Sequence, residues 1–364
     1  MLVIVTLGVT LRTALYARGV SFWGDEACLL VNVISKSPTE LVTTRLDSAG
    51  PNTTQAGPPL FLLAVRASVV GWGPAPPMFV PSEYAARAVP LACSVLSILL
   101  CAALARMVLG RTHWAFAAVL LLAFSPPAVA QANNVKQYSG DLAIAAGLLA
   151  LAVRSRATDG SARGLLLVAL TSATTLWISH ATAFVFGAIS LGFLVTLARS
   201  TARERVAWLV GNAIFAGSFI AMYVTSVSVQ TDEYLKHFWL EKFPPASMLG
   251  WPTWVVENTW ELFNYFHAPI GILLVPPIVI GFVSLKRAGR LPLAIALAGP
   301  VGLIFVAAVL RQYPFGGTRL ALFTLPGLAI LAAVGLRACA SEVAHGFHLK
   351  QLPLSPSPAT PGAV

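Results

Sequence analysis

Apolar runs separated by short polar stretches recur along the whole chain, and their lengths set the first expectation. Runs at about 1–17, 86–106, 113–131, 140–154, 163–179, 181–198, 206–226, 267–285, 291–310 and 320–337 read as membrane-spanning helices. Several fall short of the ~20 residues an upright span needs, so their ends are expected to extend into neighbouring polar positions. Residues 163–198 form one run about twice a span in length, and His180, between Ser179 and Thr182, marks the expected turn within it. The first run carries Arg12 inside it and no basic segment before it, which predicts a retained span rather than a cleaved signal.

The stretch Pro58–Gly73 decides the topology. It begins Pro58-Pro59 and carries Arg66 mid-way, where a bilayer-centre charge costs about 2.5–3.5 kcal/mol. If it lies along the interface, there are ten spans with both termini cytoplasmic. The inner loops and tail then hold 13 basic residues, among them Arg106, Arg154, Arg163, Arg203 and Arg287, against three acids (Asp159, Glu204, Glu342). The outer side takes the other eleven acids. Counting it as an eleventh span puts most of those short basic loops outside, against the charge bias of cytoplasmic loops. Ten spans with an interfacial helix is therefore preferred. The outer loops are then about 18–85, 132–139, 227–266 and 311–319. The expected fold is an all-α, polytopic helical membrane protein, one domain over 1–350, with a Pro/Ser-rich, disordered cytoplasmic tail from Gln351.

Composition narrows the class further. Of 364 residues, 57% are hydrophobic and only 10% charged, and the mean hydropathy is +0.77. A soluble enzyme, a secreted disulfide module and a disordered chain are all excluded. The net charge of +10 sits in short loops, as membrane orientation demands, and argues for no nucleic-acid partner. Cys28, Cys93, Cys101 and Cys339 show no metal-ligand spacing.

Three outer segments carry candidate chemistry. Phe22-Trp23-Gly24-Asp25-Glu26 follows the first span; its aromatic pair suits headgroup depth, and its carboxylates suit a general base or a divalent-cation site. The competing account is a loop whose acids cap the next helix. Gln131 to Asp141 brings Lys136, Tyr138 and Asp141 to the same side; a cation and a phenol can hold phosphate, and Asp141 can act as a second acid, or the three can be an interfacial anchor and a helix cap. Arg311-Gln-Tyr313-Pro-Phe-Gly316-Gly317-Thr-Arg319 flanks a glycine pair, free for close approach to a ligand, with two guanidinium forks, or with two snorkelling side chains. His180 and Tyr313 are pocket candidates, although a lone histidine at a tight turn is more often structural. Asp232-Glu233-Tyr234 and His237-Phe238-Trp239 can shape an acceptor pocket, and Asn52-Thr53-Thr54 fits a glycosylation acceptor weakly.

Asp25-Glu26 after the first span, Pro58-Pro59-Leu60-Phe61 and the Arg87-Ala-Val-Pro90 start of the second span together resemble the GT-C glycosyltransferases. The nearest branch is the family 39-like group, bacterial relatives of protein O-mannosyltransferases and the aminoarabinose transferase. The resemblance covers residues 1 to about 160 and returns at Tyr313-Pro314-Phe315 through Arg319 and Leu325-Pro326; the middle third matches in hydropathy alone. It implies a sugar taken from a polyprenyl-phosphate donor in the membrane lipid and passed, with inversion, to an acceptor on the extracytoplasmic face of a bacterial plasma membrane. Asp25 is then the base and Glu26 a supporting acid. Lys136, Tyr138 and Asp141 match the second-loop motif, and Arg319 the phosphate-side arginine, with Arg311 beside it. Many relatives carry Glu where this chain has Asn134, which bears on any divalent cation and on whether the member is active. A transporter or lipid flippase, and an inactive assembly subunit, are the alternatives. Transporters hold ionisable groups at mid-membrane, whereas here eleven of fourteen acids gather outside.

Overall fold

The structure is a computed structural model that describes residues 1–47, 55–76, 79–230 and 237–350, the last eight as backbone only. Asn52-Thr53-Thr54, Asp232-Glu233-Tyr234 and the tail from Gln351 lie outside these residues. The protein is an all-α, multi-span membrane protein; among the described residues the sole β pairing is an isolated bridge, Leu46 to Gln55.

Every expected span contains a helix. In chain order the helices are α1 (Leu2–Ala17), α2 (Gly24–Ser35), α3 (Pro38–Thr43), α4 (Pro59–Val69), α5 (Glu83–Leu109), α6 (His113–Ala123), α7 (Pro126–Ala130) and α8 (Tyr138–Arg154). They continue as α9 (Ala162–Thr175), α10 (Thr182–Leu194), α11 (Ala202–Met222), α12 (Trp251–His267), α13 (Val275–Arg287), α14 (Leu291–Val309) and α15 (Leu325–Lys350). Among the described residues, four segments are long and apolar enough to cross a bilayer unaided: Glu83–Leu109, Ala202–Gln230, Leu291–Val309 and Arg319–Glu342. Two more form only as bent pairs, α6 with Pro126–Asn133 (60°) and Met248–His267 with Gly271–Arg287 (97°). The bends have sequence causes. Pro126 and Pro127 lack the N–H groups that would continue α6, and Pro269 and the Pro276-Pro277 pair interrupt the second.

The first bend is held by α1. Arg12 is fully buried, and its guanidinium donates to Ala123 O (2.7 Å), Gly8 O (3.0 Å) and Ser94 Oγ (2.7 Å). The Ala123 carbonyl is the acceptor that residue 127 would serve in a continuous helix, and residue 127 is proline. The arginine supplies the missing donor.

α4 has eleven residues, a rise of roughly 16 Å, too short to span. Arg66 within it is 2% exposed and donates to the carbonyls of Val33 (2.5 Å) and Gly73 (2.8 Å). With α2 and α3 it buries a small core of Leu29, Leu30, Val33, Phe61, Leu62 and Val65. Val135, from the loop before α8, completes that core. α2, α3 and α4 and the 131–137 loop are thus one packed unit. α8 stands inside the main bundle, buried from Tyr138 to Ala143 without interruption. α13 and α15 meet through Gly281 and Gly335, where an added Cβ would lie about 2 Å from a facing carbonyl oxygen; small residues permit this backbone contact.

Candidate active site

Asp25 sits in the first turn of α2, where the helix dipole favours a carboxylate. Its Oδ1 accepts from Lys136 Nζ (2.9 Å) and from Gln55 Nε2 (2.9 Å), and Gln55 Oε1 in turn accepts from Lys136 (2.7 Å). Arg319 Nη1 lies 3.0 Å from Asp25 Oδ2 without the alignment of a hydrogen bond, and among the described residues Oδ2 has no hydrogen-bond donor. The Arg319 guanidinium also covers the rings of Trp23 (5.7 Å) and Tyr138 (5.3 Å). Three distant stretches, the start of α2, the loop before α8 and the turn before α15, therefore converge on one carboxylate.

Glu26 points the other way. It is fully buried and takes a two-pronged contact from Arg87, Nη2 to Oε2 at 2.6 Å and Nε to Oε1 at 3.1 Å. The Val135 N–H donates to Oε1 (2.8 Å) and the Trp23 N–H to Oε2 (3.3 Å). Arg87 also reaches the Val20 carbonyl. The result is a tie joining α2, α5 and the 131–137 loop.

The charges around Asp25 act in opposite senses. Burial pushes its carboxyl up, but Lys136, the Gln55 amide and Arg319 together outweigh burial, and the net direction is below the ordinary carboxylate value of 3.8. Burial also holds the Lys136 ammonium below the ordinary lysine value, with Asp25 opposing that fall.

The remaining candidates fall into two groups. Asp141 lies one turn into α8, 5% exposed, close to Ser179 and with Oδ1 unpartnered. Ser179 Oγ lies beside the Asp141 carboxyl, and His180 Nε2 and Thr182 Oγ1 are buried without a hydrogen bond among the described residues, so the turn between α9 and α10 is a polar nest, separate from the Asp25 contacts. Burial pushes His180 down to about 4. Tyr313 donates to Leu320 O (3.0 Å) and packs on Phe184 (4.7 Å). Arg311 adopts φ +57° and donates to Pro244 O (3.3 Å), away from Asp25. The glycine pair approaches protein, not open space: a Cβ on Gly316 (φ +133°) would lie 2.5 Å from Asn258 Oδ1, and one on Gly317 2.4 Å from Glu261 O. Asn134 is turned onto Gln131 Oε1 (3.2 Å). Phe238 and Trp239 stack edge to face at 4.9 Å.

Gln55 and Arg87 were not singled out for chemistry from the sequence. Arg87 had a signal, since a cation one turn inside an apolar helix needs an anionic partner. Gln55, in an irregular polar stretch, had none.

A divalent cation fits this centre poorly. Two acids are surrounded by three cations, and both carboxylates are engaged by them. Among the described residues no three His, Cys, Asp or Glu side chains gather closely enough to hold a metal.

No protein-family model and no curated protein matches the sequence. Solved membrane proteins share the fold. The apo oligosaccharyltransferase of Archaeoglobus fulgidus superimposes over 96% of this chain with a TM-score of 0.55 and 15% identity. Its complex with Zn and sulfate superimposes over 97%, with 0.56 and 13%. ArnT of Cupriavidus metallidurans bound to undecaprenyl phosphate superimposes over 96%, with 0.53 and 16%. The chain spans 51% and 52% of the two archaeal structures and 63% of ArnT. The likeness is one of fold, shared with both the oligosaccharyltransferase and ArnT, and it singles out no branch such as the family 39-like group.

Proposed function

We propose that the chain is an integral membrane glycosyltransferase that moves a sugar from a polyprenyl-phosphate donor to an acceptor on the extracytoplasmic face, with inversion at the anomeric carbon. The observation that carries this reading is the meeting of Lys136 and Arg319 on Asp25 at the end of an apolar bundle. ArnT, which shares the fold, is seen with undecaprenyl phosphate. The outward orientation rests on the basic inner loops.

The geometry supports a division of labour. Without donor, the Asp25 carboxylate holds the two cations where a phosphate's charge would be neutralised. When the donor phosphate takes Lys136 and Arg319, Asp25 loses the partners that depress its pKa and becomes a stronger base. The acceptor hydroxyl oxygen then bonds to the anomeric carbon as its proton passes to Asp25. The bond from that carbon to the phosphate oxygen breaks, and the electron pair stays on polyprenyl phosphate, stabilised by the same cations. Glu26, fixed by Arg87, supports the loop that presents Asp25. Asp141, Ser179, His180 and Tyr313 form the polar wall available to the sugar or acceptor, Tyr138 backs Arg319, and Arg311 lies toward the acceptor side.

The sign of the pH dependence follows. In free protein the Asp25 pKa lies below 3.8, so its pairing stabilises the fold above the unfolded-state value and is lost as pH falls through the lowered one. The acid limb of kcat/KM, which reports free protein, is expected below that value. The acid limb of kcat, which reports the donor complex, is expected at higher pH. A kcat limb at or below the kcat/KM limb would contradict transfer of the cations to phosphate.

The direct test is release of polyprenyl phosphate from undecaprenyl-phosphate-linked sugars by protein in nanodiscs. Donor-dependent release with glycosylated product is expected; no release with any sugar tried, from folded protein, removes the transferase reading. Orientation is tested by single cysteines at Asn134 and Arg203 in a cysteine-free background. An impermeant reagent added outside cells is expected to label the first and not the second, and the reverse pattern overturns the assigned face.

A further inference from the structure

The α9 and α11 helices start at the same end of the bundle, each with an arginine at its second position, Arg163 and Arg203. A groove of about 550 Å³ opens between them, walled by Leu167, Leu170, Val206 and Val210 and bounded by the two arginines. All six side chains are exposed. Neither arginine side chain has an ion pair or hydrogen bond among the described residues. The acids nearby are already engaged: Asp159 pairs with Arg156 (3.6 Å), and Glu204 accepts from its own helix-capping Thr201 N–H (2.8 Å). Arg205 donates back to Leu197 O (3.2 Å), leaving Arg163 and Arg203 as the free cations at the groove mouth.

We infer that this groove binds an anionic phospholipid, with the phosphate on Arg163 and Arg203 and one acyl chain along the leucine and valine wall. Two guanidinium groups supply the charge complement, and the adjoining helix N-termini add to it. The apolar wall separates this ligand from a soluble anion, which would leave it bare. Distance separates the groove from the proposed donor site. Arg163 lies at the far end of the fourteen-residue α9 from Ser179, roughly 20 Å along the axis. The bound lipid is therefore distinct from the proposed donor, and its binding in this groove stands without the transferase reading.

Native mass spectrometry of the full chain, released from nanodiscs of mixed phosphatidylglycerol and phosphatidylcholine, tests it. The expected result is retention of phosphatidylglycerol over phosphatidylcholine by about thirty-fold, equivalent to ~1 kcal/mol for each arginine. Arg163→Gln with Arg203→Gln should abolish that preference, while Arg163→Lys with Arg203→Lys keeps most of it. Val210→Trp, at an exposed position, should reduce retention of both lipids by filling the wall. Equal retention of the two lipids by wild type, or an undiminished preference in the double glutamine variant, overturns the inference. So does displacement of the lipid by inorganic phosphate at equal concentration, or a dimer that covers the groove and excludes lipid.

Discussion

Asp25→Asn is expected to lower transfer by about a hundredfold to ten-thousandfold, the range seen when a general base is removed. The substitution preserves size, and the amide oxygen can still accept from Lys136. It removes the group that takes the acceptor proton and the negative charge that competes with donor phosphate for Lys136 and Arg319. The two losses act on different measurements. The kcat falls, whereas donor affinity stays equal or rises because both cations are left without their anion. Binding of undecaprenyl phosphate to purified protein and turnover with the linked sugar separate them. Wild-type turnover by folded Asp25→Asn would sink the base assignment. A parallel loss of donor affinity would instead make Asp25 an organiser of the phosphate site.

Arg87→Met should destabilise the protein by about 3–5 kcal/mol, because it leaves a carboxylate buried beside an uncharged side chain. Glu26 is fully enclosed and Arg87 nearly so, with side-chain exposures of 0% and 7%, so solvent screening removes little of this effect. The loss should appear as a lower midpoint in thermal unfolding of the detergent-solubilised protein. It should also loosen the packing of α2 and α4 on the 131–137 loop, since the Val135 N–H rests on the same carboxylate. Arg87→Met with Glu26→Leu should recover much of the stability, as removal of both members of a buried pair is often close to neutral. A single-variant loss under about 1 kcal/mol would mean that water reaches the pair, as it does at a surface bridge.

Periodic features were legible before any coordinates, and features that depend on long-range pairing were not. Hydropathy located a helix in every expected span because apolar length is a local property. The bends after Ala123 and around Pro269 were not anticipated as breaks of 60° and 97°. Prolines advertise a weakened helix, but the angle is set by packing against neighbours. In the site, Asp25, Lys136 and Arg319 stood out as polar groups at the borders of apolar runs, and they meet. Arg311 was grouped with Arg319 by proximity in sequence; its left-handed backbone turns it to Pro244 instead. The resemblance assigns Asp25 as base and Glu26 as support, but adjacency in sequence does not say where each side chain points. Successive helix positions point about 100° apart, so one faces the cluster and the other the interior.

The Arg12 clamp bears on biosynthesis. Its acceptors, Ser94 and the Ala123 carbonyl, emerge from the ribosome long after α1 has reached the membrane. Until then α1 carries a charge whose placement at mid-bilayer is unfavourable by about 2.5–3.5 kcal/mol. α1 is accordingly a weak span by itself, and its seat becomes secure only when the chain through α6 has been threaded beside it. Partitioning of α1 is thus coupled to the arrival of a partner more than a hundred residues downstream.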